Sequence, residues 1–404
     1  MLFILLVCAC TVHAQTNYVL NPSFEQYNQC PEGYNQVKFA RYWNGIDTTW
    51  SPGDSLSYIP YCLPEYCNEC SNDTHCCTVP FSTNYYQYPR SGNGMIEEVM
   101  YYDAIVPFPN NRDYLQGRLS SSLITGKSYC ITLYVNFEGN MSSCFAVAPI
   151  GVYLDNGSID TALNTCGNPQ TQYTPQVFTD SIIADTVNWV MVQGHFIATG
   201  TEAFLTIGNF SDNAHTHISA LPGPCESDYS VYLIDDVSVI ASDEVANAGP
   251  DAFVSPYSDS AWIGSHEEGL PCKWYIAGNP TPISVYGGFN VHPDVTTQYV
   301  MELDLCDNVT FDTVTVYAAP AGIKPLTPKG GPSVFPDPTS GLFTVEYAKG
   351  CEVVVYDMYG EVRLTKSCIS DKEQIDISSL ANGVYMAHIT NSTGNQVVKK
   401  IIKG

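Results

Sequence analysis

Basic residues are what this 404-residue chain has least of: 16 Lys and Arg stand against 41 Asp and Glu, a formal net charge of −25. The deficit is uneven. Residues 320–404 hold 9 basic and 8 acidic residues, whereas residues 1–319 hold 7 and 33. So acidic a surface repels phosphate backbones and anionic lipid, which argues against nucleic-acid or membrane-surface binding. Long apolar runs are missing after the first fourteen residues, so no transmembrane segment is expected. Helical periodicity is nearly absent, and there is no nucleophile elbow, zinc-protease motif or phosphate-binding loop.

What is present points to strands. The chain is 45% hydrophobic and carries 28 Tyr, and aromatic residues favour pleated, half-buried surfaces. Short runs rich in Val, Ile, Thr, Tyr and Phe, such as Ser128 to Phe137 and Val231 to Ile240, lie between Gly, Pro, Asn and Asp clusters. This is the pattern of β-sandwiches, and the expected fold class is all-β.

Residues 1–14 read as a signal peptide: an apolar run from Met1 to Cys10, then Thr11-Val12-His13-Ala14 with cleavage expected after the small Ala14, without the usual basic start. Its removal takes away Cys8 and Cys10 and leaves 14 cysteines, an even number, in an oxidising compartment where disulfides are the default. Cys62, Cys67, Cys70, Cys76 and Cys77 form a dense cluster whose spacing fits no standard zinc pattern. The expected boundaries are 15–241 for a first sandwich, 242–319 for a second and 320–332 for a Pro-rich linker, with a third sandwich over 333–404.

In the last segment Val334-Phe335-Pro336-Asp337-Pro338-Thr339-Ser340-Gly341, Asp357-Met358-Tyr359-Gly360, Ile375-Asp376-Ile377 and Leu380-Ala381-Asn382-Gly383-Val384-Tyr385 occur in order before the terminal Val397 to Gly404. This set resembles the type A sorting domain of the type IX secretion system, with Asp337 where the family usually has Asn. The resemblance implies export to the outer membrane, release or attachment at the cell surface, and the type IX machinery as partner. It also implies a role for the terminal basic residues Lys399, Lys400 and Lys403. A two-residue turn at Tyr359-Gly360 would place Cys351 opposite Cys368, within reach of a disulfide.

Val19 to Glu25, Ala40 to Trp43, Ile207 to Phe210 and Tyr232 to Val237 resemble galactose-binding-like jelly rolls, to which many carbohydrate-binding modules belong. Glycan or surface polysaccharide is the implied ligand. Trp50, Tyr85, Tyr86 and Tyr88 sit in loop-like surroundings where rings could stack on a sugar, and Trp43 is expected in the core. Strand parity puts Asp235 in an inward apolar row, which is costly without a partner. The resemblance implies a structural Ca²⁺ between the first and last strands, held by Glu25 and Asp235; the alternative is an ordinary hydrogen-bonded carboxylate. The pairs Glu97-Glu98 and Asp235-Asp236 should diverge on their strands. Asn247 to Asp251 and Thr296 to Val300 resemble an immunoglobulin-like or polycystic-kidney-disease-like spacer, with Cys272 and Cys306 expected to join two of its strands. His215 and His217 are a possible metal pair, though a loop is favoured there. A binding protein is preferred to an enzyme; a hydrolase with dispersed carboxylates in the first domain and a structural adhesin are the alternatives.

Overall fold

The computed structural model describes residues 15–46, 63–82, 85–102, 112–140, 143–159, 170–222, 225, 229–254, 260–318, 332–391 and 396–404. Trp50, Cys62, the signal peptide and nearly all of the Pro-rich linker lie outside them. Among the described residues the regular structure is strand, apart from one short 3₁₀ turn at Val37–Phe39, and no helix is long and apolar enough to cross a membrane.

The first domain is a jelly roll of two five-stranded sheets. Its strands are β1 (Trp43–Gly45), β2 (Glu65–Asn68), β3 (Gly94–Tyr102), β4 (Tyr114–Arg118), β5 (Ser128–Phe137), β6 (Phe145–Ala148) and β7 (Ile150–Asp155). The rest are β8 (Val177–Thr179), β9 (Val190–Ile197), β10 (Phe204–Gly208), β11 (His217–Ala220) and β12 (Tyr229–Ala241). One sheet runs β1-β4-β10-β7-β8 and the other β2-β3-β12-β5-β9, with β6 and β11 paired separately. The core between them takes alternate residues of each strand, among them Tyr129, Ile131, Leu133, Val135 and Phe137 of β5. Trp43 is buried there, its indole N–H donating to the Asn21 carbonyl at 2.8 Å. The opening segment lies beside the closing strand, since the Tyr18 N–H donates to Val239 O at 2.9 Å.

The other face of the second sheet is also closed. On β12 and β5 nearly every residue is buried, so neither strand shows the inside–outside alternation of a half-exposed sheet. Two pieces of chain cover this face. Val79 and Tyr85 of the cysteine-rich loop pack on Cys67, Met95 and Leu233, and a disulfide joins Cys130 of β5 to Cys306 of the next segment.

That segment contains β13 (Ala252–Phe253), β14 (Ala261–Gly264), β15 (Cys272–Ile276), β16 (Gly288–Val291), β17 (Thr297–Leu305) and β18 (Asn308–Tyr317). They form a sheet β13-β18-β17-β15 and a pair β14-β16. Its described residues share one compact unit with those of the jelly roll. The expected Cys272–Cys306 bridge is not formed. Cys272 is a buried thiol beside the Val285 and Tyr286 carbonyls, and Cys306 reaches the jelly roll instead. The other bridges among the described residues are Cys30–Cys70, Cys76–Cys77 and Cys144–Cys225.

The C-terminal unit has two sheets, β19 (Ser333–Phe335), β20 (Leu342–Glu346) and β23 (Lys372–Asp376) in one, and β21 (Glu352–Asp357), β22 (Val362–Ser367), β24 (Gly383–Thr390) and β25 (Gln396–Lys403) in the other. Phe343, Val353, Val355, Ile375, Ala387 and Ile401 fill the space between. The expected β21–β22 register holds, with Glu352 facing Ser367, but the route differs. The turn closes one residue early, Gly360 donating to Asp357 O at 3.0 Å, and a bulge at Arg363 restores the pairing. Cys351 and Cys368 are thiols rather than a disulfide. Both Gly350 and Cys351 oppose Cys368, because the Gly350 N–H donates to Cys368 O while the Cys351 N–H turns to Ala348 O; such a bulge removes the direct facing that the bridge required.

Non-reducing peptide mapping should recover Cys130 joined to Cys306 and leave Cys272 alkylatable after denaturation. Closing so long a loop constrains the unfolded chain, so Cys306→Ser should lower stability by about 2–5 kcal/mol in denaturant titration.

Candidate functional site

The closing strand β12 does not run straight through its two aspartates. A bulge lies between Asp235 and Ser238, and Asp236 has φ +49°. The expected divergence of Asp235 and Asp236 is therefore overturned: the bulge brings both carboxylates to the Arg90–Gly94 loop. Asp235 accepts the Ser91 N–H at 3.1 Å and the Asp236 N–H at 2.7 Å. Asp236 accepts Ser91 Oγ at 2.6 Å and Ser23 Oγ at 2.5 Å, and is ion-paired with the buried Arg90. Arg90 also lies 3.5 Å over the ring of Tyr134. Glu25 completes the clasp, its Oε1 accepting the N–H groups of Asn93 at 2.7 Å and Gly94 at 2.8 Å. Gly92 is required here: its φ is +63°, and a Cβ would fall 2.2 Å from the Glu25 carboxyl.

Glu25 and Asp235 thus meet the same loop, as the proximity of first and last strands implied, but through N–H donors rather than an oxygen shell. Among the described residues no three His, Cys, Asp or Glu side chains are grouped to hold a metal ion. The donors present do not fit Ca²⁺, which needs six to eight oxygens. His215 pairs with Asp212 at 2.6 Å on an exposed turn. Chelation should leave the melting curve unchanged, whereas Asp235→Ala should lower stability by roughly 1–3 kcal/mol.

The expected ring cluster divides. Tyr85 is buried beneath the cysteine-rich loop, its hydroxyl near the Cys76 and Thr78 carbonyls, so it packs that loop and is not a surface platform. Tyr86 and Tyr88 are exposed, edge to face at 6.0 Å. Trp50 lies outside the described residues.

Sequence reading missed the feature beside the clasp. A cleft of about 290 Å³ is lined by Glu25, Trp262, His266, Glu267, Glu268 and Tyr286. Trp262 points outward from β14 and stacks on His266 with centroids 4.5 Å apart and planes 22° from parallel. Its seat depends on Gly288, where a Cβ would come within 2.9 Å of the indole. Tyr286 is fixed from two sides: the buried Trp274 donates to its carbonyl at 2.9 Å, and the Gly92 N–H donates to its hydroxyl at 3.2 Å. Burial pushes the Glu25 carboxyl up to about 7, against the lowering effect of its two N–H donors. Glu267 and Glu268 are also raised, chiefly by burial, and Glu268 further by Asp236 and Glu267. The one sequence signal was the surplus of acids, which cannot say where they gather.

A second group of acids is sealed inside. Glu65 of β2 faces Glu97 of β3, and Asp113 accepts the Val99 N–H at 3.0 Å. Glu97 and Glu98 do diverge, Glu98 sharing the side of the core residues Ile96 and Met100. Glu97 Oε2 and Asp113 Oδ1 have no hydrogen-bond partner among the described residues. Burial, with the charge of Asp113, raises Glu97 to about 8; burial raises Asp113 to about 7, against the lowering effect of the Val99 N–H. Each holds its proton to higher pH folded than unfolded, so the folded state binds more protons from the ordinary carboxylate range up to about 8, and stability falls as pH rises through that window. Glu97→Gln should flatten this fall and raise stability at pH 8 by on the order of 1–3 kcal/mol, read by thermal melts across pH.

In the tail, Lys403 is buried, its ammonium donating to Ser378 O at 3.0 Å and to Leu380 O. It is a lock on the terminal strand, and its charge does not face solvent as Lys400 does. Asp337 serves the same end, accepting the Ile402 N–H at 2.7 Å.

Residues 333–404 match the family described as the secretion system C-terminal sorting domain. Beta-agarase D of Zobellia galactanivorans is 34% identical over 95 residues, 22% of this chain and 19% of that enzyme, so the match spans about a fifth of the relative's length. Among solved structures, the CBM22-1 xylan-binding domain from Paenibacillus barcinonensis is similar at 15% identity and a TM-score of 0.28, over 57% of this chain and 97% of that one. An adhesin domain of Lys-gingipain from Porphyromonas gingivalis is similar at 14% identity and a TM-score of 0.26, over 54% and 95%. The tail from Ser333 to Gly404 is a secretion system C-terminal sorting domain, and the chain that carries it is a type IX cargo bound for the cell surface or the medium.

Proposed function

We propose that this exported chain is a glycan-binding surface protein whose site is the Trp262 cleft. The observation that carries the reading is an outward indole, backed by His266 and flanked by Tyr286, set in a concavity with three carboxylates. A flat ring offers a face to the C–H side of a sugar, and carboxylates accept its hydroxyl protons; a few convergent polar groups beside aromatic lining are the usual make-up of a small-ligand site. The sheet face of the jelly roll is covered by the chain itself, which moves the accessible concavity to the seam with the second segment. Tyr86 and Tyr88 offer a smaller exposed platform on the first domain. Glu25, with its carboxyl near 7, also suits general-acid chemistry; appearance of reducing ends with wild type, lost in Glu25→Gln, would turn the reading towards a glycoside hydrolase.

Trp262→Ala should weaken oligosaccharide binding roughly five- to tenfold, about 1–1.5 kcal/mol for a lost ring contact, with Tyr86→Ala as a comparison. Calorimetry against a glycan panel checks this, and unchanged affinity in Trp262→Ala would move the site elsewhere. Deletion of residues 333–404 should leave the processed protein in the periplasm. Fractionation that found the truncated chain at the surface would sink the export route.

A further inference from the structure

We infer that the cleft selects a sugar bearing a protonated amine, that is, an amino sugar with its nitrogen free; this rests on the glycan reading above and narrows it. The argument starts from charge. Glu25, Glu267 and Glu268 line the cleft, and among the described residues no Lys or Arg lines it with them. The buried Arg90 guanidinium of the adjoining clasp is spent on Asp236 and Tyr134. A neutral ligand would leave the exposed Glu268 carboxylate facing the part-buried Glu25 and Glu267, whose charge and its own repel, whereas an ammonium would relieve them directly.

The aromatic faces act in the same direction. Trp262 and Tyr286 are both partly exposed, and a cation near an aromatic face gains from the ring quadrupole, most of all with Trp. An anionic ligand is disfavoured by both features. Size limits the occupant: about 290 Å³ lies at the small end of ligand sites, on the scale of one sugar ring rather than a folded peptide segment. The flat Trp262–His266 stack suits a ring more than a flexible lysine side chain. Clasp and cleft are also joined, because Glu25 both holds the Arg90–Gly94 loop and faces the ligand.

Titration calorimetry on the full secreted chain at pH 6 tests this with three probes: a glucosamine tetramer with free amines, its fully N-acetylated counterpart, and tetralysine. The free-amine tetramer should bind at least tenfold more tightly than the acetylated one. Glu268→Gln and Glu25→Gln should erase that preference, so that within each variant the free-amine tetramer binds no more tightly than the acetylated one. The amine should also draw a proton off Glu25, seen as a binding enthalpy that depends on buffer ionisation. Equal binding of both tetramers would overturn the amine assignment and leave the glycan reading standing. Tetralysine binding as tightly as the amino sugar would overturn the sugar assignment. Binding of none of the three would remove both.

Discussion

The arrangement of the first unit depends on a buried pairing of opposite charges, Arg90 with Asp236. Each alone would be costly to bury. Together, with Ser23, Ser91 and the ring of Tyr134 satisfying what the ion pair leaves over, they fix the Arg90–Gly94 loop against the closing strand. From that point the geometry spreads outward. The loop offers N–H groups to Asp235 and Glu25, and its Gly92 N–H holds the hydroxyl of Tyr286, so one wall of the cleft is positioned by an interaction buried behind it.

How much of this was legible in the sequence depends on the range of the forces concerned. Strand composition and turn residues act locally, and they disclosed an all-β chain, the jelly roll, and the ordered motifs of the sorting tail. Apolar parity along Val231 to Val239 identified Asp235 as a buried carboxylate. The bulge that turns Asp236 to the same side did not show, because one residue at φ +49° reverses a parity argument without changing composition. The same holds for the cysteines. Position in the chain suggested Cys272 with Cys306 and Cys351 with Cys368, but a bridge is decided by where Cβ atoms point after folding, and a bulge at Gly350–Cys351 was enough to defeat the second pairing. Lys403 shows the limit from the other side. A terminal lysine reads as a solvent-facing charge, yet the carbonyls of Ser378 and Leu380 satisfy it in the interior.

The acid surplus takes two physically different forms. Around Glu97 and Asp113 the carboxylates are sealed, and burial makes them hold their protons; they function as weakly polar filler whose cost rises with alkalinity. In the cleft the same residue type reaches solvent, and among the described residues no Lys or Arg is paired with it. What separates the two is access, set by the cysteine-rich loop over one group and by the seam beside the other.

The bridge from Cys130 to Cys306 has a consequence for timing. It holds the second segment against the jelly roll, and the cleft is lined by residues of both. Before that bond forms, the two sides of the lining are joined by chain continuity and by non-covalent contacts, among them the hydrogen bonds from the Gly92 N–H to the Tyr286 hydroxyl and from the Asn17 amide to the Glu268 carbonyl. The covalent clamp across this seam is therefore added only in an oxidising compartment, after the chain has left the cytoplasm.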